Sequence, residues 1–351
     1  MSNPGISALD RASAPPAKLN AQTQRISFID YAKGIGIFLV VLGHALRGLV
    51  GTVFEPNALT QMLDQWIYAF HMPLFFFLSG FFIERSVSQP FGSVVANKLK
   101  TIIYPYLVWS VLQETLRHVA GISDQPLTEL WRILYAPILQ FWFLYVLFVV
   151  SLAYVMLRKL GASVMVCFGL AALLFASELV DLDLGPWLVL YAIRLNAVYF
   201  MLGAVARTFN WLDLISKAEP SALLLRAFFG FSLIALAAVL NLALVEYWLF
   251  PLALVGISAT LSLARYLETR DRFSSLQTWG LLSLEIFVAH TIFAAAVRIF
   301  LQKGLGVSNP IVHVVLGTIA GIYGSLLLYR FCAKVNVPYL FRLKSATASS
   351  R

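Results

Sequence analysis

Ten apolar stretches of membrane-spanning length, separated by short charged or Pro/Gly-containing loops, limit what this chain can become. They cover approximately 35 to 53, 66 to 83, 102 to 119, 138 to 156, 164 to 180, 187 to 206, 223 to 245, 248 to 265, 279 to 301 and 312 to 332. Lipid offers a backbone no hydrogen-bond partners, so each stretch must satisfy its own peptide groups as a helix. Composition removes the soluble alternative: 60% of the 351 residues are apolar and 12% charged, with mean hydropathy +0.81. A soluble domain is ~45–50% apolar and ~25% charged, and needs the difference to cover its surface. The expected fold is all-α, a polytopic membrane helix bundle of about ten transmembrane helices with lipid around it.

An even number of spans leaves both termini on one side. That side carries twenty of the lysines and arginines; the other carries Arg47, Arg117, Arg132, Arg298 and Lys303, and Arg194 falls inside a stretch. The positive-inside rule puts the richer side, with both termini, in the cytoplasm. Residues 1–24 are polar, lack the apolar core of a signal peptide and read as a disordered cytoplasmic tail. Residues 25–335 are the transmembrane domain, and 336–351 a cytoplasmic C-terminal tail.

Several function classes fall away. The formal charge of +9 is scattered between apolar runs without a basic stripe, so nucleic acid is not a partner. Cys167 and Cys332 belong to no CxxC or Cys/His cluster, which excludes a disulfide framework, leaves no metal site and makes both small packing residues. No GxGxxG, P-loop, HExxH or GxSxG pattern occurs.

Ionisable groups at membrane depth cost at least ~2.5–3.5 kcal/mol at a helix centre, so each needs a reason. Asp30 and Lys33 sit at the cytoplasmic mouth of the first stretch, as an i,i+3 pair able to form a salt bridge. His44 lies eleven residues past Lys33, or ~16 Å along a helix, near the bilayer midplane. Gly34, Gly36 and Gly43 let other helices approach. FHMPLFFFLSGFF follows, with His71, Pro73, Ser79 and Gly80; His71 lines a polar cavity or only packs, while the small residues suit close helix contact. In SLEIFVAH, Glu285 and His290 are five apart, which turns them about 140° from one another and towards different neighbours. Glu285 either positions His44 or Lys33 or neutralises a buried base. Arg85, Lys98 and Lys100 are positive-inside charge or a site for an anionic ligand. Glu114, Arg117, His118, Arg194 and Asn196 are candidates to line an outward cavity.

Together these residues resemble the integral-membrane acyltransferase 3 family, in particular fucose 4-O-acetylase-like proteins. The match covers residues 25 to 332. It rests on a basic residue, ten residues and a His (Lys33 to His44), on Asp30 and GIGIF, and on FHMPLFFFLSGFF. It rests also on Lys98 and Lys100 before Tyr104-Pro105-Tyr106, on Gln140 to Leu144, and on Ser283 to His290. Where family members often carry arginine, Lys33, Lys98 and Lys100 keep the charge but lack the bidentate fork.

The resemblance implies a multi-pass enzyme of the bacterial cytoplasmic (inner) membrane. It would move an acetyl or similar short acyl group from cytoplasmic acetyl-CoA to a hydroxyl of a surface polysaccharide or lipid-linked sugar. His44 would be the general base, helped by Glu285 and Asp30. Lys33, Arg85, Lys98 and Lys100 would hold the phosphates of the donor, and His71, Arg194 and His290 would meet the acceptor. The competing expectation is a proton-coupled transporter relaying protons through the same His and Glu residues. The absence of a clear internal repeat counts against it.

Overall fold

The computed structural model describes residues 27–123, 125–180 and 187–343. The tail expected over 1–24, and the later part of that expected over 336–351, lie outside the described residues. The chain is all-helical among them; the sole departure is an isolated bridge between Val50 and Phe54.

In chain order the helices are α1 (Ser27–Arg47), α2 (Ala58–Tyr68), α3 (His71–Phe81), α4 (Glu84–Val87), α5 (Phe91–Lys98), α6 (Tyr104–Val119), α7 (Trp142–Lys159) and α8 (Val164–Leu179). The second half comprises α9 (Leu188–Thr208), α10 (Leu212–Ser216), α11 (Pro220–Val239), α12 (Glu246–Thr269), α13 (Ser274–Leu281), α14 (Ser283–Ile299) and α15 (Pro310–Lys334). Seven helices are long and apolar enough to cross a membrane: α1, the Leu127–Lys159 unit ending in α7, α9, α11, α12, α14 with its π-helical extension to Gly304, and α15. The chain is thus a multi-pass membrane protein.

The other expected stretches are helical but interrupted or short. The 66 to 83 stretch breaks at Ala69 and Phe70, and Pro73 falls in the first turn of α3, where a backbone N–H has no intrahelical acceptor to lose. The 102 to 119 stretch is α6, joined to α5 through a π-helical turn at Leu99–Ile103. α8 has 16 residues. The first stretch begins earlier than its apolar run: α1 starts at Ser27 rather than 35, so Asp30 and Lys33 lie inside its first two turns. A hydropathy window is blind to polar helical turns, and α1 buries Asp30 among neighbouring helices instead of leaving it at a loop.

Two pairs of glycines set the closest crossings. A Cβ on Gly34 would lie 1.9 Å from the Leu276 carbonyl oxygen, and one on Gly280 1.7 Å from that of Asp30, so α1 and α13 meet backbone to backbone. Gly80 and Gly203 do the same for α3 and α9, with a Cβ 1.8 Å from the Phe200 oxygen and 2.0 Å from the Phe77 oxygen. Small residues permit such contact where lipid supplies no hydrophobic drive for helix association. Around these crossings α1 packs against α12, α14 and α15, which brings helices from the two ends of the sequence together.

Candidate active site

Half-buried His44 and fully buried His290 face each other. Nδ1 of His44 on α1 lies 2.9 Å from Nε2 of His290 on α14. The other nitrogen of His290, Nδ1, faces only carbonyl oxygens, of Phe287 at 2.7 Å and Ile286 at 3.1 Å. A carbonyl can only accept, so in the neutral pair His290 Nδ1 carries the proton and its Nε2 presents a lone pair. His44 Nδ1–H must then donate to it. The remaining nitrogen of His44, Nε2, is left with its lone pair.

Aromatic and charged groups surround this pair at the same end of α1. Tyr68 meets the His44 ring edge-on, with centroids 6.4 Å apart, and the His71 ring likewise at 4.6 Å. Its hydroxyl is buried with no hydrogen-bond partner among the described residues. Arg47 lies over the Tyr68 ring, 3.1 Å from its centroid, while its guanidinium grips Asp64 through Nε at 2.6 Å and Nη2 at 2.9 Å. His71 opens α3 and donates from Nδ1 to the Ile67 carbonyl at 2.8 Å. Beside His290, Thr291 accepts from Gln140 at 3.2 Å, and the same amide donates to Gln113 at 3.0 Å.

Towards the start of α1, Lys33 Nζ and Arg85 Cζ each lie 5.5 Å from the centroid of Phe82. Two cations so placed around one ring suit an anionic ligand approaching that end. Lys98 and Lys100 sit at the π-helical turn between α5 and α6 and point differently: Lys98 is half-buried and Lys100 exposed. Burial holds the Lys98 ammonium below its usual pKa.

Glu285 and Arg194 go elsewhere. Glu285 is buried and accepts from Arg342 Nη2 at 2.6 Å, so the base it neutralises is neither His44 nor Lys33. Its carboxylate holds the Arg342 guanidinium above its usual pKa. Arg194 is bound to α8, through Glu178 at 2.9 Å and through the hydroxyl of Ser177 at 3.0 Å, and does not reach the histidines. The expected divergence of Glu285 and His290 around their helix is what separates these partners.

The family profile of the acyltransferase domain, acyltransferase 3, matches residues 26–330. The chain belongs to this family. Among curated proteins it is similar to Nodulation protein NolL of Mesorhizobium japonicum, 30% identical over 155 residues, or 44% of this chain and 39% of the relative. Nodulation protein NolL of Sinorhizobium fredii is 33% identical over 123 residues, 32% of this chain and 33% of the relative. The aligned part thus spans between a third and two-fifths of the length of these relatives. No solved structure matches.

In this member of the family, Tyr68, Arg47, Asp64, Gln113 and Thr291 join the candidate site without having been singled out in the sequence. Arg47 follows His44 by one helical turn, a readable signal. Tyr68 and Asp64 looked like ordinary residues at the edge of an apolar stretch.

Proposed function

We propose that this chain is a membrane O-acyltransferase that moves an acetyl or similar short acyl group from cytoplasmic acetyl-CoA to a hydroxyl of a surface polysaccharide or lipid-linked sugar. The observation that carries the reading is the His44–His290 pair, because it leaves His44 Nε2 as a fixed base in a family of acyltransferases. As the acceptor oxygen attacks the thioester carbonyl carbon, its proton passes to His44 Nε2. The carbon–sulfur bond breaks, and the proton is returned to the departing thiolate. His290 is the group that orients His44, in the place first given to Glu285.

Lys33 and Arg85 flank Phe82 and hold the donor phosphates, with half-buried Lys98 as a further cation for them; Lys100, being exposed, contributes long-range attraction. Asp30 is buried in the same turn region as Lys33 and fixes the start of α1. His71 borders the acceptor side through Tyr68. Arg194 keeps α8 and α9 together.

In this reading the α2–α3 pair, α6 and α8 also cross, which makes ten spans. Residues 25–335 are the acyltransferase domain, set in a bacterial inner membrane with both termini cytoplasmic. The distribution of lysine and arginine supports that orientation. The test is acetyl-CoA-dependent mass gain on surface polysaccharide and lipid-linked sugars from cells with the wild-type chain or His44→Ala. Gain of one acetyl group in the first and none in the second is expected. Equal gain in both would overturn His44 as the base.

A further inference from the structure

A cavity of about 280 Å³ lies under the 125–138 segment between α6 and α7. Its lining includes Glu114, Gln125, Glu129, Arg132, Ile133 and Ile138. The roof is a fixed wall. Tyr106 donates its hydroxyl to the Ile133 carbonyl, Tyr145 to that of Leu134 at 3.0 Å, and Trp187 Nε1–H to that of Tyr135 at 2.8 Å.

Residues close in sequence to the lining form a hydrogen-bonded chain that ends beside the histidine pair. Gln113 adjoins Glu114, and Gln140 is two residues past Ile138; the two amides bond to each other, and Gln140 to Thr291, the neighbour of His290. Charge in the cavity is balanced, since Glu114 is paired with Arg117 at 2.9 Å and Glu129 with Arg132 at 2.6 Å. Set in an otherwise apolar wall that includes Leu130 and Pro137, these paired charges and the Gln125 amide present a few hydrogen-bond donors and acceptors without a net field, which suits neutral hydroxyls over an anion. In the same segment Trp131 and Tyr135 are exposed with rings 5.5 Å apart, offering aromatic faces to the C–H side of a sugar.

We propose that this cavity is the docking site for a neutral sugar unit of the acceptor, delivering its hydroxyl towards His44 past Gln113, Gln140 and Thr291. The assignment rests on the acyltransferase reading and adds the acceptor's place and class to it. Two variants in membranes test it, Ala136→Trp, which fills the cavity, and Arg132→Gln, which removes an exposed lining donor. The readouts are O-acetyl content of the surface glycan and thermal stabilisation of the protein by coenzyme A, with His44→Ala alongside.

Filling the cavity is expected to lower O-acetyl content about tenfold or more, and Arg132→Gln to lower it less, with the coenzyme A shift kept in both. If both variants acetylate like wild type while His44→Ala is inactive, the docking site is overturned and the acyltransferase reading stands. If His44→Ala still acetylates, it is that reading's mechanism that falls. Should Ala136→Trp lose the coenzyme A shift through misfolding, Arg132→Gln decides. Wild-type acetylation in that variant, or loss of both its readouts together, overturns the proposal.

Discussion

α1 and α11 are helices of nearly equal length, 21 and 20 residues, and both suit a membrane. The bundle buries 78% of the apolar window of α1 and 28% of that of α11. Yet α11 is the more apolar of the two, with Phe228, Phe229, Leu233 and Leu236 facing outward, whereas α1 contains Asp30, Lys33, His44 and a row of glycines. In water the greasier helix would be the buried one. In lipid, apolar side chains gain nothing by leaving the tails, so small and polar residues decide which helix goes inside. The proposed base is therefore on the helix whose hydropathy is diluted.

The largest blow to the contrast should come from His44→Ala in α1, with O-acyl transfer falling by about 10²–10⁴-fold and protein abundance in the membrane unchanged. Abundance and acyl transfer measured on the same membranes check both halves. Next is Gly34→Leu, whose side chain meets the Leu276 backbone. Separation of α1 from α13 should remove most folded protein, seen as loss of a monodisperse species in detergent. If Gly34→Leu behaved like wild type, the inward position of α1 would not depend on glycine.

His290→Phe should cost roughly 10- to 100-fold in kcat, the scale for a residue that orients a reactive one, with the KM for acetyl-CoA unchanged. His290→Gln, whose amide oxygen still accepts from His44 Nδ1–H, should recover part of that loss. A rise in acceptor KM without a fall in kcat would instead make His290 a binding residue. Lys98 gives a pH signature. Burial lowers the pKa of its ammonium, and a bound anion favours the charged form, so coenzyme A affinity should fall as pH rises through that lowered pKa. Lys98→Arg should flatten this alkaline limb in calorimetric titrations. Smallest of all, Leu236→Ala on the lipid face of α11 should shift stability within about 0.5 kcal/mol and leave transfer intact.

Sequence carried the all-helical class well because lipid imposes helices, and it singled out His44, His71 and His290 because intramembrane histidines are conspicuous. Helical arithmetic also separated Glu285 from His290. What it lacked was partnership across the bundle. The acid of Glu285 meets Arg342, beyond the expected domain end at 335, where Phe341 packs between Trp109 and Tyr329 and the Leu340 carbonyl accepts from Trp109. Arg194 looked available because Glu178 lies on another helix. The break at Ala69 and Phe70 was equally silent, since neither residue is a glycine or proline and the helix restarts at His71, two residues before Pro73.

His44 and His290 are 246 residues apart in the chain. At a synthesis rate of about 5–20 residues per second, α1 waits roughly 10 to 50 s in the membrane before its partner is made. Throughout that interval the proposed base has no orienting ring. On the proposed mechanism, competence to transfer arrives with the last helices, so a truncated product would be silent in acylation whatever its first helices had already folded into.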